Sequence, residues 1–352
     1  MDILVTGGCG FIGSSIAIAL SDRGHRVTCF DNLMRRGSEI LLGRIREHGC
    51  TYVHGDIRNP GDFDRVRDGQ SLLIECSAEP SVLVGTKGHE ALGLININLF
   101  GSVNCFEYAR IHKMPVIFLS TSRVYPYDRL NELKLEQQET RFEYLGRDAG
   151  ISFAGISVDY PLPGYRSMYG ATKLSSELLL REYSKNFGIP SIIDRFGVVS
   201  GPWQLGKADQ GVFAFWLAYH YFKKDLSYIG YGGKGKQVRD LLHIDDLIDL
   251  ILAQIESVGS HYGTVFNAGG GRASNLSLVE TTAHCRRITG NTVGVSSLPE
   301  TRAADVPWYL TDNGATAPTF GWKPRRHPET ILSDMYTWLR DHEEECKRIF
   351  IG

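Results

Sequence analysis

Tyr169 and Lys173 are the residues of this 352-residue chain whose types and spacing most directly suggest catalysis. They stand at positions i and i+4, so on a helix the phenol and the ammonium share one face. A tyrosine normally titrates near ~10, and we expect the neighbouring Lys173 cation to lower the pKa of Tyr169 by stabilising the phenolate. Such a phenolate could remove a proton from a substrate hydroxyl group that the hydroxyl of Thr121 orients.

The Tyr-x-x-x-Lys spacing alone is a weak signal, because surface helices contain it by chance. The apolar run 115–119 predicts a buried strand that ends at Ser120-Thr121-Ser122, and residues 169–187 predict a long helix. The three side chains can therefore meet where the strand ends. The hypothesis becomes strong if that strand belongs to a sheet whose carboxyl edge binds a ligand.

The start of the chain predicts such a sheet. Residues 2–5 read as a short buried strand, residues 6–13 as a glycine-rich turn, residues 14–20 as a helix, and residues 26–30 as a second strand that stops at Asp31. This order is typical of a dinucleotide-binding site. The glycine spacing is G-x-x-G-x-x-G, so a glycine turn without a ligand is the alternative, but the two strands and the acid favour the dinucleotide.

Each glycine of this turn has a physical role. Gly7 allows the tight turn, Gly10 lets the backbone approach a pyrophosphate, and Gly13 lets the helix pack closely on the sheet. The free N–H groups at the start of that helix face the phosphates. Asp31 can accept hydrogen bonds from a ribose diol and repels a 2′-phosphate, which favours NAD over NADP. The arginines at positions 35 and 36 could accept a phosphate and keep NADP open.

Strands and helices alternate along the rest of the chain. Further strands are predicted at 51–54, 72–74, 115–119, 191–195 and 265–268, and helices at 39–48, 96–109, 169–187, 245–256, 276–289 and 328–345. This pattern predicts an α/β fold with a Rossmann-type, doubly wound parallel sheet. We expect an NAD-binding domain over 1–196, to which 236–268 returns, and a smaller, discontinuous C-terminal substrate lobe over 197–235 and 269–352. The polar stretch 126–163 predicts an insertion over the site.

Composition excludes several classes of partner. The formal net charge is −2, which gives no reason to expect nucleic acid or a membrane surface. Seven cysteines are scattered singly, a pattern that favours reduced cytoplasmic thiols over disulfides or a metal site. No signal peptide is recognisable, and no apolar run approaches the roughly 20 residues that span a bilayer. We expect a cytoplasmic protein without a metal.

Other candidate ligand residues have structural alternatives. Asp56 follows a predicted strand and could hold the adenine amino group, with Ile57 against the ring, but a helix cap is nearly as good an interpretation. Arg239 and Arg302 offer paired donors to a diphosphate, although either could be a solvated surface residue. His243 is interpreted as structural. Core packing is the preferred role of the aromatic residues Trp203, Phe213, Phe215, Trp216 and Tyr221.

With these motifs in place, the chain resembles the extended short-chain dehydrogenase/reductase superfamily over nearly its whole length, and within it the NAD-dependent nucleotide-sugar epimerase/dehydratase family. The resemblance rests on Thr6-Gly7-Gly8-Cys9-Gly10-Phe11-Ile12-Gly13, Asp31-Asn32-Leu33, His54-Gly55-Asp56-Ile57-Arg58-Asn59, Ser120-Thr121, Tyr169 with Lys173, Asp209-Gln210-Gly211, and residues 235–243 with Arg239-Asp240 and His243. Within the family, the likeness is greatest to epimerases that invert C2 of CDP-sugars.

The resemblance implies a set of roles. It implies NAD held through the cycle, a nucleotide-diphosphate sugar with CDP favoured, and a homodimer or homotetramer built on 96–109 and 169–187. The implied catalytic residues are Thr121, Tyr169 and Lys173. The implied cofactor contacts are Gly7, Gly10, Phe11, Ile12, Gly13, Asp31, Asn32, Asp56, Ile57, Ser77, Tyr169 and Lys173, and the implied substrate contacts are Ser122, Arg123, Gln210, Arg239 and Arg302.

The chain also departs from the family pattern. Glu75 stands where the family usually has histidine, Glu79 follows in the same strand exit, and Pro126 replaces a glycine. Ser122-Arg123 replaces the Asp-Glu pair of the sugar 4,6-dehydratases, which argues against water elimination. Our hypothesis is a nucleotide-sugar 2-epimerase for carbohydrate biosynthesis. The alternatives are a 4-epimerase, a sugar dehydrogenase or reductase, and a non-catalytic dinucleotide-sensing protein.

Overall fold

The computed structural model describes residues 1–85, 90–205 and 211–351. Its α-helices are α1 Phe11–Ser21, α2 Ser38–Glu47, α3 Ala91–Ile95, α4 Ser102–His112, α5 Tyr127–Asn131, α6 Met168–Phe187, α7 Val212–Tyr221, α8 Ile244–Ser257, α9 Leu278–Thr289, α10 Thr316–Phe320, α11 Pro328–Asp341 and α12 Glu343–Phe350.

The strands are equally well defined. They are β1 Asp2–Thr6, β2 Arg26–Asp31, β3 Thr51–His54, β4 Leu72–Glu75, β5 Val116–Thr121, β6 Glu136–Gln137, β7 Phe142–Glu143, β8 Ile151–Ser152, β9 Gly155–Ile156, β10 Ser191–Phe196, β11 Val198–Ser200, β12 Leu226–Ile229, β13 Val238–His243, β14 Tyr262–Ala268, β15 Asn275–Ser277, β16 Val295–Leu298 and β17 Trp308–Tyr309.

A seven-stranded sheet carries the fold, in the order β14-β10-β5-β4-β1-β2-β3. Strands β1 and β2, β2 and β3, β1 and β4, and β4 and β5 pair in parallel. The direction of winding reverses between β1 and β4, and ligands of such sheets bind beyond the carboxyl ends of the strands at this switch point. The predicted Rossmann-type α/β fold is confirmed.

The chain divides into two compact units. The first consists of Met1–Val124, Met168–Arg195 and Ile248–Phe266, and the second of Tyr125–Ser167, Phe196–Leu247 and Asn267–Gly352. The segment 125–167 thus groups with the second unit, although the sequence analysis assigned it to the first domain. Backbone hydrogen bonds explain the difference, because Phe142 N–H donates to Lys236 O at 2.8 Å and Ile156 N–H donates to Leu310 O at 2.8 Å.

The core of the first unit is formed by apolar side chains from the sheet and from the helices against it. Phe30, Phe106 and Phe118 are fully buried there. The predicted helix 96–109 is present with one irregularity, since residues Asn96–Gly101 form a π-helical turn between α3 and α4. Such turns are frequent at functional sites. Helices α4 and α6 pack side by side.

The second unit has its own small sheet and helices. Strand β13 pairs with β11, β15 and β17, and helices α7, α9 and α11 pack together. Helix α7 escaped the sequence analysis, because apolar residues surround it and leave no amphipathic stripe. Its Phe213 and Trp216 are buried, whereas Trp203, Phe215 and Tyr221 are partly exposed. The 126–163 stretch forms α5 and the hairpins β6–β7 and β8–β9.

Candidate dinucleotide and catalytic site

The glycine turn lies at the switch point of the sheet. Gly7 has a φ of +65°, and a Cβ at this position would lie 2.9 Å from the backbone of both Cys76 and Ser77, at the exit of β4. A Cβ at Gly13 would collide with the carbonyl oxygen of Gly7. Both positions therefore require glycine, as predicted. The turn closes with a hydrogen bond from Gly10 N–H to Gly7 O at 2.9 Å.

The start of α1 is suited to phosphate. Gly10 is its N-cap, no side chain in the described chain caps this end, and its first turn, with Phe11 and Ile12, carries no acidic residue. Free N–H groups of a helix N-terminus attract anions. The cradle of Gly7 and Gly13, which a Cβ would fill, and this uncapped helix start together fit a dinucleotide pyrophosphate.

Asp31 ties the end of β2 to the glycine turn. Its Oδ2 accepts a hydrogen bond from Cys9 N–H at 3.0 Å and its Oδ1 accepts one from Leu33 N–H at 2.8 Å. Burial raises the pKa of Asp31, and the two backbone donors oppose that change. Each carboxylate oxygen keeps a second lone pair. Asp31 can therefore shape the turn and still accept hydrogen bonds from a ribose diol.

Asp56 is already engaged by its neighbours. Arg58 donates from Nε to Oδ1 at 2.9 Å and from Nη2 to Oδ2 at 2.5 Å, and Asn32 Nδ2 donates to Oδ2 at 2.9 Å. The Arg58 guanidinium lowers the pKa of Asp56 to about 2. Arg58 N–H also donates to Oδ1, which matches the capping alternative. Ile57 is buried against Gly101 and belongs to the core.

The structure brings Thr121 and Tyr169 together. Thr121 ends β5, Tyr169 lies in the first turn of α6, and the hydroxyl of Thr121 lies close enough to the phenol to lower its pKa. The Thr121 Oγ1 also accepts the N–H of Arg123 at 3.2 Å. Both side chains are nearly buried, with 8% of Thr121 and 9% of Tyr169 exposed. The strand end thus presents a hydroxyl directly to the phenol.

The electrostatics of Tyr169 differ from the expectation. Burial raises the pKa of Tyr169, the opposite of the direction predicted from Lys173. The hydroxyl of Thr121 and the charge of Arg123 lower this pKa, whereas the carboxylates of Glu75 and Glu79 raise it. The prediction considered one cation on the same helix. It did not consider the desolvated phenol or the two carboxylates beside it.

Lys173 is paired with Glu75. Its Nζ lies 3.6 Å from Glu75 Oε2 and 4.1 Å from the centroid of the Phe118 ring. The first distance is an ion pair without a hydrogen bond. Glu75 Oε1 accepts the N–H of Ser77 at 3.0 Å. Burial raises the pKa of Glu75, and the charge of Lys173 opposes this rise. The departure from the family pattern at position 75 thus contacts a predicted catalytic residue.

Two groups of buried residues near the site escaped the sequence analysis. Glu177, one turn beyond Lys173, accepts hydrogen bonds from Arg195 and from Ser120 Oγ. Asn98, in the π-helical turn, receives the N–H of Glu79 at 2.8 Å and donates to Glu79 O at 3.0 Å. A buried polar residue on an otherwise apolar helix face was the available signal for Asn98.

The predicted substrate residues fall into separate groups. Ser122 and Arg123 directly follow Thr121 in the first unit. In the second unit, Arg239 donates to Asp305 Oδ1 and to Val306 O, both at 2.6 Å, so its guanidinium already has partners. Arg302 is exposed. Gln210 lies outside the described residues.

Other candidates have structural partners. Glu79 Oε1 accepts the N–H of Ser81 at 3.1 Å, which matches the turn-capping interpretation. His243 is buried, and its Nδ1 accepts the N–H of Asp245 at 3.0 Å at the start of α8. Within the described residues, no group of three or more potential ligand side chains could hold a metal ion. No helix of the described chain is long and apolar enough to cross a membrane.

The sequence matches a known protein family over most of its length. The model of the NAD dependent epimerase/dehydratase family matches residues 3–269. The chain belongs to this family. The resemblance inferred from the motifs and the assignment of NAD as the cofactor are confirmed. The protein is therefore an enzyme of an NAD-dependent family whose members act by epimerisation or dehydration.

Two individual relatives and one solved structure share between 25% and 28% sequence identity with this chain. CDP-paratose 2-epimerase of Salmonella typhi is 28% identical over 96% of this chain and 99% of its own length. A probable UDP-glucuronate 4-epimerase of Rhizobium meliloti is 27% identical over 96% of each. Among solved structures, the UDP-glucuronic acid 4-epimerase of Bacillus cereus in complex with NAD is 25% identical with a TM-score of 0.75, covering 97% of each chain.

Proposed function

We propose that the protein is an NAD-dependent nucleotide-sugar epimerase that inverts one sugar carbon by transient oxidation. The proximity of Thr121 and Tyr169 at the end of β5 carries this proposal. It places a hydroxyl and a phenol together in the unit that also contains the glycine turn. A sugar hydroxyl in this position can donate its proton to the phenolate and accept a hydrogen bond from Thr121.

The protein's own residues move the proton. Tyr169 removes the hydroxyl proton as a phenolate and returns it when the keto sugar is reduced. Thr121 and Arg123 both lower the pKa of Tyr169, so both favour the form that acts as the base. NAD, held at the glycine turn and Asp31, would supply the acceptor and then the donor of the sugar's hydride. The sugar would regain what it loses, so the cycle would leave no net oxidation.

Epimerisation is favoured over dehydration by the residues after Thr121. Elimination of water requires an acid and a base beside the oxidised sugar. The dehydratases that the chain resembles carry Asp-Glu there, whereas this chain has Ser122-Arg123. Arg123 is a permanent cation that can neither accept nor release a proton at neutral pH. We therefore assign Ser122 and Arg123 to substrate binding.

The preferred substrate is a CDP-(di)deoxyhexose inverted at C2. The 28% identical CDP-paratose 2-epimerase, matched along nearly its whole length, supports this choice. A 4-epimerase is the second candidate, because the UDP-glucuronate 4-epimerase relative is 27% identical over a similar span. Arg239 and Arg302 are the proposed diphosphate ligands. For Arg239 this requires that a phosphate replace Asp305 as its partner.

We also propose that two copies associate through α4 and α6. Large apolar side chains are exposed along this helix pair and the π-helical turn before it: 55% of Phe100, 53% of Leu178 and 57% of Phe187. Contiguous exposed apolar residues mark interaction surfaces. A second copy would cover them through a two-fold axis. The seven free thiols support a cytoplasmic location.

The first experiment identifies cofactor and chemistry together. The purified protein is denatured, the released dinucleotide is identified, and CDP-, UDP-, GDP- and dTDP-sugars are incubated with the native enzyme in D2O. We expect bound NAD and inversion at one carbon without solvent deuterium. Deuterium at the inverted carbon would instead indicate enolisation beside a ketone. If the protein released no NAD and turned over added NADPH, a reductase would replace the epimerase as the proposed function.

Tyr169→Phe tests the proton transfer, with Tyr183→Phe as the matched control. Tyr183 lies on the same helix, and its hydroxyl donates to Glu107. We expect Tyr169→Phe to lower kcat by roughly 10²–10⁴-fold, the usual contribution of a general base. NAD content should remain unchanged, and Tyr183→Phe should keep kcat. Equal activity of both variants would exclude Tyr169 as the base.

A further inference from the structure

Glu75 is a fully buried carboxylate that the proposed reaction does not yet use. It ends β4 at the switch point of the sheet, where its register partners are Thr6 on β1 and Phe118 on β5. Its two oxygens face different neighbours. Oε1 accepts the N–H of Ser77, in the strand exit beside Gly7, and Oε2 lies 3.6 Å from Lys173 Nζ.

Among the described residues, Lys173 is the one cationic neighbour of Glu75. Strand β5 contributes Phe118 and helix α4 contributes the buried thiol of Cys105, which is neutral. The adjacent thiol of Cys76 is likewise protonated, because burial raises its pKa. Helix α6 contributes Tyr169 and Lys173. Arg123 and Glu79 act on Tyr169.

Lys173 has no second carboxylate among its described ion pairs. Glu177 lies one turn farther along α6, but its carboxylate is engaged by Arg195 and Ser120. On its remaining side the Lys173 ammonium lies over the ring of Phe118 at 4.1 Å. The ammonium is therefore held between the carboxylate at the end of β4 and an aromatic face on β5.

We propose that Glu75 is a positioning residue of the reaction: it fixes the Lys173 ammonium at the end of β4 and adds a negative charge to the surroundings of Tyr169. The inference rests on the proposed function, in which Tyr169 is the base. It gives a specific role to the one residue that departs from the family pattern at this position. The ammonium stays available to the cofactor because the pair with Glu75 lacks a short hydrogen bond.

This arrangement has a measurable consequence. A carboxylate beside a phenol makes the phenolate less favourable. Replacing Glu75 by glutamine keeps the size and an acceptor for Ser77 N–H but removes the negative charge. The carboxylate of Glu75 then no longer opposes the ionisation of Tyr169. The titration of Tyr169 should move to lower pH by roughly 1 unit, the order of magnitude that one nearby charge produces.

The experiment measures the titration of Tyr169 in Glu75→Gln by two readouts. The first is the acid limb of the pH profile of kcat/KM for the sugar. The second is the ultraviolet absorbance of tyrosinate, taken as the difference between each protein and its Tyr169→Phe counterpart, which requires no turnover. Glu177→Gln is the matched control, because it removes another buried carboxylate from the same helix region. We expect it to lower the melting temperature without moving either titration.

The outcomes separate the two proposals. A shift to lower pH in Glu75→Gln, absent in Glu177→Gln, supports the positioning role. An unmoved titration with a lower melting temperature would make Glu75 a structural partner only and overturn it. If the absorbance titration shifts but no sugar is inverted by the unaltered protein, the positioning role stands and the epimerase proposal fails. Should Glu75→Gln not fold, Glu75→His removes the same charge at alkaline pH and is measured in its place.

Discussion

Helix α6 carries two buried ion pairs one turn apart, and they are built differently. In the first, Lys173 Nζ lies 3.6 Å from Glu75 Oε2 without a hydrogen bond. In the second, Arg195 reaches both oxygens of Glu177 from Nε at 3.1 Å and one of them from Nη2 at 2.7 Å, and Ser120 Oγ donates to the same carboxylate. Both pairs are almost completely shielded from water.

The Glu177–Arg195 pair is structural, whereas the geometry of the Glu75–Lys173 pair can adjust. A fork-shaped guanidinium that satisfies a carboxylate leaves little capacity for another ligand. An ammonium at 3.6 Å keeps donors that can turn toward a ribose or a phenolate. Glu177 and Arg195 therefore fix the end of β5 to α6. Glu75 and Lys173 can respond when the charge on Tyr169 changes.

The largest expected effect comes from breaking the ion pair between Glu177 and Arg195. Arg195→Met would leave the Glu177 carboxylate buried without its cation, and such a loss costs about 3–5 kcal/mol. We expect this decrease in the free energy of unfolding by urea. Lys185→Met removes an exposed cation from α6, the helix that carries Glu177. It should change the free energy of unfolding by less than about 0.5 kcal/mol. Similar losses in both variants would show that the pair does not hold the strand to the helix.

A third buried carboxylate sharpens the comparison because it has no cationic partner among the described residues. Asp194 on β10 accepts a hydrogen bond from Gln254 Nε2 at 2.7 Å, and burial raises its pKa from 3.8 to about 7. A raised carboxyl pKa means that the folded state favours the protonated carboxyl group over the carboxylate. The stability contributed by this group is complete below pH ~4 and is lost as the pH rises through about 7.

Asp194→Asn should therefore gain stability over the unaltered protein as the pH rises. At about 1.4 kcal/mol per pKa unit, the shift from 3.8 to about 7 sets an upper limit of about 4 kcal/mol above pH 8. Urea unfolding at pH 5 and pH 8 measures the difference. A gain that is equal at both pH values would mean that the carboxylate is already charged at pH 5, and the raised pKa would be refuted.

The sequence was sufficient for the parts of the site that depend on local spacing. The glycine turn, the strand that ends at Thr121 and the helix with Tyr169 and Lys173 all follow from periodicity and from residue types close together in the chain. The pairing of Lys173 with Glu75 could not be predicted, because the two residues meet only through the order of the strands. The direction of the Tyr169 pKa depended on burial, which spacing does not reveal.

The smallest expected effect concerns the ring beneath Lys173. Phe118 contacts the ammonium with its face, whereas Phe106, its neighbour in the core, packs edge-on against Phe118 and against Tyr183. Phe118→Leu and Phe106→Leu remove similar apolar volumes from fully buried positions. We expect Phe118→Leu to lower the free energy of unfolding by about 1–2 kcal/mol more, which spans the values of exposed and desolvated cation–π contacts. In Phe118→Leu the ammonium depends on Glu75 alone, so adding Glu75→Gln should cost more than it does in the unaltered protein. Additive losses would show that the ring and the carboxylate act on Lys173 independently, and the view that they hold it jointly would fail.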